Sequence, residues 1–276
     1  MAPDPTTLPG LLEDLEAEHA DFEGMVAGLD DTGWDLPTPA PGWAVRDQVS
    51  HLAFFDDAAT EAIVDPGSFT VRAEAALAAP GDPMEEHLRR GRAMGGRDVL
   101  AWWRDARHRM VGAARTLDAR DRVPWFGPPM GALSFVSARL METWAHGQDV
   151  ADALGVTRVP TPRLRHVAHL GVRARPFSYV VRGLEVPAEA VRVELTGPAG
   201  ERWEWDGDAA SGLVQGSALD FCLVVTQRRN VADTALTVEG PLASQWLVIA
   251  QAFAGPPGPG RPPRGSGGPS PSLYPD

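Results

Sequence analysis

The chain's 276 residues suffice for two modest domains or one large one, and 43% hydrophobic with 22% charged residues is the balance of a soluble globular protein. A formal net charge of −12 argues against nucleic acid as a partner, because phosphate binding wants a basic face. No apolar run approaches a membrane span, and the opening Met1-Ala-Pro-Asp-Pro5 lacks the basic and apolar regions of a signal peptide, so no membrane partner is expected. The single cysteine, Cys222, excludes an internal disulfide framework and fits a reducing cytoplasm. Within the apolar run Phe221–Val225 it reads as a small core side chain rather than a nucleophile. Every basic side chain other than histidine is arginine, which excludes a lysine Schiff base or a P-loop lysine.

The first half reads as helices. Leu8 to Leu29 carries Leu11, Leu12, Leu15, Phe22, Met25, Val26 and Leu29 on a helical rhythm. A Pro- and Trp-containing loop from Asp30 to Gly42 precedes a second helix from Ala44 to Ile63. A punctuated connection around Pro80-Gly-Asp-Pro83 leads to a third helix from Met84 to Leu117, interrupted near Gly95-Gly96. The aromatic loop Val123 to Met130 then leads into a fourth helix from Ala132 to Leu154, closed by Gly155 as a C-cap.

The second half changes character. Arg163 to Ala174 reads as a helix. Val191–Thr196 and Glu201–Trp205 alternate with period two around Gly197-Pro-Ala-Gly200, which predicts a hairpin with Trp203 and Trp205 on one face, packed against a helix. Ser217 to Arg229 is an apolar helix, Ala235 to Glu239 a strand and Pro241 to Phe253 a helix. The fold class expected is therefore α+β: a four-helix bundle over residues 8–156, a small α+β domain over 157–254, and a disordered Pro/Gly-rich tail over 255–276.

The chemistry concentrates in Arg139-Leu-Met-Glu142-Thr-Trp-Ala-His146-Gly-Gln-Asp149. Residues four apart on a helix lie about 40° from each other around the axis, so Glu142 and His146 project from one face, one turn apart. A carboxylate and an imidazole held that way make half of a divalent-metal site, and His51 in the second helix supplies a third ligand. The spacing also occurs as ordinary helix-surface decoration, but Leu140, Met141, Trp144 and Ala145 make this helix apolar on several sides, where an unpaired charge is costly. Asp149 and Asp47 are each placed either to accept the free ring N–H of a ligating histidine or to cap locally.

Trp43-x-Val-Arg-Asp47-x-x-x-His51-Leu followed by Arg139-x-x-Glu142-x-x-x-His146-x-x-Asp149 resembles the DinB-like metal-binding bundle, and more closely the mycothiol-dependent maleylpyruvate isomerase family. The second half is similar to that family's sterol-carrier-like α+β domain, whose mark is an apolar helix ending in arginine, here Phe221-Cys-Leu-Val-Val-Thr-Gln-Arg228-Arg229, then Leu236-x-Val-x-Gly240. The resemblance implies one divalent ion, usually zinc, on His51, Glu142 and His146, which binds and activates the thiol of mycothiol. Thiolate addition, rotation and elimination would isomerise a double bond, and addition or displacement alone would make a thiol transferase. It also implies that an arginine of the second domain meets an anionic small-molecule substrate, Arg228 by position with Arg229 as the fallback, in a protein working as a monomer or homodimer.

The segment after His51, Ala53-Phe-Phe-Asp-Asp57, is bulky and acidic, and the aromatic loop 124–130 is expected to line the pocket, so a larger or more apolar acceptor than maleylpyruvate is expected. The alternative function is a metal-dependent isomerase, lyase or hydrolase in which the ion acts as a Lewis acid without thiol, in secondary metabolism. Two histidines and a carboxylate also match non-haem iron oxygenases, and a third class is a non-catalytic module with a structural metal. Trp102, Trp103 and Trp144 read as core; His19, His87, His108, His166 and His169 suit solvated helix faces; Arg89, Arg90, Arg92 and Arg97 either face solvent or meet an anionic cofactor at the bundle mouth.

Overall fold

The computed structural model describes residues 6–78, 83–207 and 210–265, with the side chains of 83–87 outside that description. The expected connection at 80–82, the side chain of His87 and the tail from residue 266 therefore lie outside the described residues. The chain divides into two compact units, residues 1–158 and 159–276. This boundary falls two residues later than the expected end at 156, because Arg158 ties back into the bundle: it pairs with buried Glu18 and donates to the Trp144 carbonyl at 2.8 Å.

In the first unit, α1 (Leu8–Val26) starts at Thr7, whose hydroxyl accepts from the Gly10 amide, with Pro9 in its first turn. Short α2 (Asp31–Trp34) lies in the expected loop, capped by the Asp30 carboxylate. Then come α3 (Val45–Val64), α4 (Pro66–Ala78), α5 (Pro83–Arg92) and α6 (Gly96–Ala114). The third expected helix thus breaks where the Gly95-Gly96 pair stands. Strands β1 (Arg122–Trp125) and β2 (Gly127–Gly131) form an antiparallel hairpin, and α7 (Ala132–Leu154) ends at Gly155, whose φ of 65° is the left-handed cap conformation. Long helices α1, α3, α6 and α7 pack into the bundle around Phe22, Val45, Val49, Leu52, Val99 and Trp103. Trp102, Trp103 and Trp144 are buried, as expected of core. Three features of this unit were not expected: the short α2 inside the loop; α4, which reads as a continuation of the connection; and the β1–β2 hairpin, whose prolines disguise it as a loop.

In the second unit, α8 (Leu164–Arg173) and α9 (Arg175–Val180) precede β3 (Arg192–Thr196), β4 (Arg202–Trp205) and β5 (Leu213–Ser217). Helix α10 (Ala218–Val225), strand β6 (Thr237–Glu239) and α11 (Pro241–Ile249) complete it. The sheet order is β4-β3-β5-β6, with β3–β4 and β5–β6 antiparallel and β3–β5 parallel. Trp203 is buried with Arg165 of α8 over its ring, and Trp205 donates through Nε1 to His169 Nδ1 of α8 at 3.1 Å. Both indoles thus face α8, as the alternation predicts, and His169 has an indole partner rather than solvent alone.

Helix α10 is shorter than expected. Thr226 Oγ1 bonds back to the Cys222 carbonyl at 2.7 Å, Gln227 adopts a φ of 59°, and the Arg228 and Arg229 amides converge on the Leu223 carbonyl. Arg228 and Arg229 therefore stand past the helix rather than on it. The segment expected to be disordered from residue 255 is described as far as Gly265 and lies along this unit. The Gly258 carbonyl accepts from Arg182, the Arg261 carbonyl from Asn230 at 2.8 Å, and the Arg264 amide donates to Asp233. Proline-rich backbone keeps its carbonyls free, so it is held by polar donors without needing apolar burial. Among the described residues no helix is long and apolar enough to cross a membrane.

Candidate metal centre

Helices α3 and α7 pack side by side and bring His51 opposite Glu142 and His146. One ligand-capable atom of each lies within 4.8 Å of the others, with His51 and His146 buried and Glu142 half-buried. The two imidazole rings are 4.4 Å apart between centroids.

A one-way chain of hydrogen bonds orients His146. The Trp43 carbonyl can only accept, and does so from Thr38 Oγ1 at 2.9 Å. With its proton used, Thr38 Oγ1 accepts from Gln48 Nε2 at 2.8 Å, which turns the Gln48 carbonyl oxygen toward His146 Nδ1 at 2.5 Å. Nδ1 is therefore the nitrogen that donates to Gln48, and Nε2 faces Glu142 Oε2, 3.3 Å away. Two nitrogens and a carboxylate, one imidazole oriented from behind, fit a divalent ion with coordination positions left open.

The partner of His146 is Gln48, which sequence reasoning missed; its position three before His51 puts it on the same face of α3 and was the available signal. Asp47 follows the other branch of its expectation and caps: Oδ2 accepts from the Ala44 amide at 2.9 Å, and both oxygens bind Arg92. Asp149 is buried on α7.

Aromatic side chains wall the cluster. Trp43 lies 5.2 Å from the His51 ring and stacks at 6.0 Å on His146. On the other side Phe55 sits 4.6 Å from His51 and leads to Phe126 and Trp125 at the turn of the β1–β2 hairpin, at 5.8 and 6.1 Å. Trp125 stacks on Phe69 of α4 at 5.6 Å, so α4 and the hairpin, both missing from the sequence reading, together complete this wall. Phe55, Trp125 and Phe126 remain half-buried.

The acidic pair after Phe55 plays a different part from the one expected. Asp56 is fully buried and takes both Nε and Nη2 of buried Arg139 on Oδ1, at 3.1 and 2.9 Å. Burial pushes the Asp56 carboxyl up and the Arg139 guanidinium opposes it. Asp57 accepts from Trp102 Nε1 at 2.7 Å and from Arg109. Both acids are thus engaged in holding α3 to its neighbours. His19, expected on a solvated face, is buried against the edge of Trp103. Its pKa falls to about 3, by desolvation first and then by the Arg107 and Arg139 charges. His108 does face solvent. Cys222 is buried in the second unit, where desolvation pushes its thiol pKa up, so it is a core side chain as expected.

The structure thus brings His51, Glu142 and His146 together, while Arg228 and Arg229 belong to the other unit. There Arg228 Nη1 donates to the Thr226 carbonyl at 2.6 Å and Arg229 Nη1 to the Arg228 carbonyl at 2.7 Å.

Comparisons with known proteins agree with this architecture. The family model of the mycothiol maleylpyruvate isomerase N-terminal domain matches residues 15–151. An uncharacterized protein of Mycobacterium tuberculosis, present in two strains, is 46% identical over 254 residues, covering 92% of this chain and 99% of its own. The crystal structure of the mycothiol-dependent maleylpyruvate isomerase superposes with a TM-score of 0.57 at 15% identity, over 84% of this chain and 92% of that one. A histidine-to-alanine mutant of that enzyme gives 0.55 at 16% identity, over 80% and 90%. At such identities the superpositions establish the shared fold. With the family match across the helices that carry His51, Glu142 and His146, residues 15–151 belong to the mycothiol maleylpyruvate isomerase N-terminal domain family.

Proposed function

We propose that this protein is a divalent-metal-dependent enzyme that uses a low-molecular-weight thiol, mycothiol, to isomerise or modify a small unsaturated or electrophilic substrate. The observation that carries this reading is the convergence of His51, Glu142 and His146, one ligand-capable atom of each within 4.8 Å of the others. His51, Glu142 and His146 would hold the ion, most simply zinc. When bound, such an ion lowers the pKa of a coordinated thiol, so that thiolate is available near neutral pH. Gln48 keeps the proton on Nδ1 and so keeps Nε2 basic. The aromatic wall of Phe55, Trp125 and Phe126 excludes water beside His51 and favours an acceptor with an apolar or aromatic body. Arg228 is assigned to the anionic end of the substrate, with Arg229 as the alternative.

The deciding experiment measures turnover of conjugated and electrophilic carboxylic acids by metal-loaded protein, with and without mycothiol. Turnover only in its presence supports the reading. Equal turnover without thiol replaces it with Lewis-acid isomerase, lyase or hydrolase chemistry at the same three ligands. Arg228→Lys keeps the charge but loses the planar fork, and should lower kcat/KM at least about tenfold, or about 1.4 kcal/mol, with metal content unchanged. Unchanged kinetics in both Arg228→Lys and Arg229→Lys would remove these arginines from the chemistry.

A further inference from the structure

Trp43 has a second neighbour besides the two histidines. It lines a cleft of about 440 Å³, within the size range of small-molecule sites. Two arginine–aspartate pairs wall this cleft: Arg46 with Asp35 at 2.7 Å and Arg92 with Asp47 at 2.9 Å. We propose that the cleft binds a polyhydroxylated, sugar-like group seated against Trp43; resting on the thiol reading above, that group is the carbohydrate body of the thiol.

The charge pattern selects this chemistry. Each guanidinium is already matched by a carboxylate, so the wall offers donors and acceptors side by side without a net cation. A phosphate or carboxylate would meet Asp35 and Asp47 as well as the arginines and would gain little. A vicinal diol suits the wall, because one hydroxyl can donate to a carboxylate oxygen while its neighbour accepts a guanidinium N–H. The half-buried indole of Trp43 supplies the apolar surface that the C–H face of a sugar ring needs.

The wall is also preformed. Arg92 donates a further bond to the Gly42 carbonyl at 2.9 Å, and Arg46 one to the Met94 carbonyl at 3.0 Å. Helix α5 comes close enough for Arg92 to reach Asp47 because Gly91 has no side chain: a Cβ there would stand 2.4 Å from Ser50. Little side-chain ordering remains to be done on binding. Thr38 lines the same cleft and is the link in the hydrogen-bond chain that orients His146, so a ligand here touches the group that sets the metal-facing nitrogen. Of the arginines 89, 90, 92 and 97, it is Arg92 that lines this cleft, while Arg90 lies over the Trp102 ring at 3.8 Å.

The test titrates the full chain calorimetrically with glucosaminyl-inositol, which carries no thiol, and separately with inorganic phosphate. The wild type should bind the first and not the second. Arg92→Gln should weaken glucosaminyl-inositol at least tenfold. Asp35→Asn should weaken it and, by freeing the Arg46 charge, should gain phosphate binding; near-UV circular dichroism serves as the control for folding. No heat with glucosaminyl-inositol at millimolar concentration, or equal binding by wild type and both variants, overturns the proposal. So does a wild type that prefers phosphate. Binding of glucosaminyl-inositol without mycothiol-dependent turnover keeps the cleft and removes the thiol reading. Mycothiol-dependent turnover whose KM is unmoved in both variants keeps that reading and removes the cleft.

Discussion

The two units bury different things. In the second, the buried polar side chains among the described residues are Ser178, Thr226 and Gln251, all neutral, and the core is Val193, Leu195, Trp203, Val214, Phe221 and Trp246. In the first, Glu18, His19, Asp47, His51, Asp56, Arg139, His146 and Asp149 are all buried. Burying charge is unfavourable even when paired, and well-packed apolar residues would stabilise a bundle at least as well. A four-helix bundle that nonetheless interleaves carboxylates, imidazoles and guanidiniums with its apolar seams does so for a reason other than stability. Among the buried polar groups on α3 and α7, two sets stand out: His51 and His146 at the candidate metal site with Gln48 behind, and Asp56 with Arg139, which fix the two helices relative to each other.

Separating the sets experimentally gives the largest effect first. His146→Ala should lose most of the bound metal and with it the activity, while the bundle stays folded, because the seams of α1, α3, α6 and α7 hold it. Gln48→Leu, which replaces none of the three proposed ligands, should cost about 10–100-fold in metal affinity by releasing the Nδ1 proton from its acceptor. Full metal occupancy in His146→Ala by elemental analysis would sink the assignment of the ligands.

The second set should behave oppositely. Asp56→Ala leaves the Arg139 guanidinium buried without its carboxylate, and a loss of about 3–5 kcal/mol is expected for breaking a pair of this kind. Urea unfolding measures it. A loss below about 1 kcal/mol would mean that Arg139 finds water or another partner, and that the pair does not fix α3 to α7.

How legible each set is in the sequence follows from what makes it. Glu142 and His146 share one helix at a fixed angular offset, so their convergence is readable from spacing; His51 adds a second helical pattern with the same residue type. Boundaries of α7 were equally plain, since Ala132 follows Gly131 and Gly155 stops the helix. Pairings between distant segments carry no local mark. Asp56 and Arg139 look like surface charges until α3 and α7 are packed, and His19 looks solvated until Trp103 covers it. The β1–β2 hairpin was hidden by Pro124, Pro128 and Pro129, which fit an edge ribbon but lower any strand propensity. Helix α10 was overextended because its stop is a non-glycine residue, Gln227, in the left-handed region.

The His19 imidazole should make the bundle acid-sensitive in a defined window. Its folded pKa is about 3 against an ordinary value of 6.5, so the unfolded chain takes up this proton below pH 6.5 and the native one only near pH 3. Stability from this group is full above pH 6.5 and falls as pH drops toward 3, by about 3 kcal/mol at pH 4.5. His19→Leu should flatten the fall of melting temperature between pH 6.5 and 4.5. If wild type and variant lose stability in parallel over that range, the acid sensitivity belongs to other groups.

The smallest effect is expected at the end of the second unit. Deleting residues after Gly255 removes the acceptors of Arg182 and Asn230, the Arg261 Nε donor to the Gln227 carbonyl, and the Arg264 amide on Asp233. The first three of these bonds are part-buried and that of Arg264 is exposed; such bonds are worth about 0.5–1.5 kcal/mol each, while ordering each residue costs about 1–2 kcal/mol. The two nearly cancel over a segment that buries so little. Truncation after Gly255 should therefore lower the melting temperature by at most a few degrees, and truncation after Gly265 should leave it where it is. Metal content should be equal in both, since the proposed ligands are on α3 and α7. Turnover separates this from the competing idea that Arg261 and Arg264 close over the substrate as a lid. If truncation after Gly255 kept metal and stability but abolished activity, the segment would have a catalytic role that its hydrogen bonds to Asn230, Gln227 and Asp233 do not reveal.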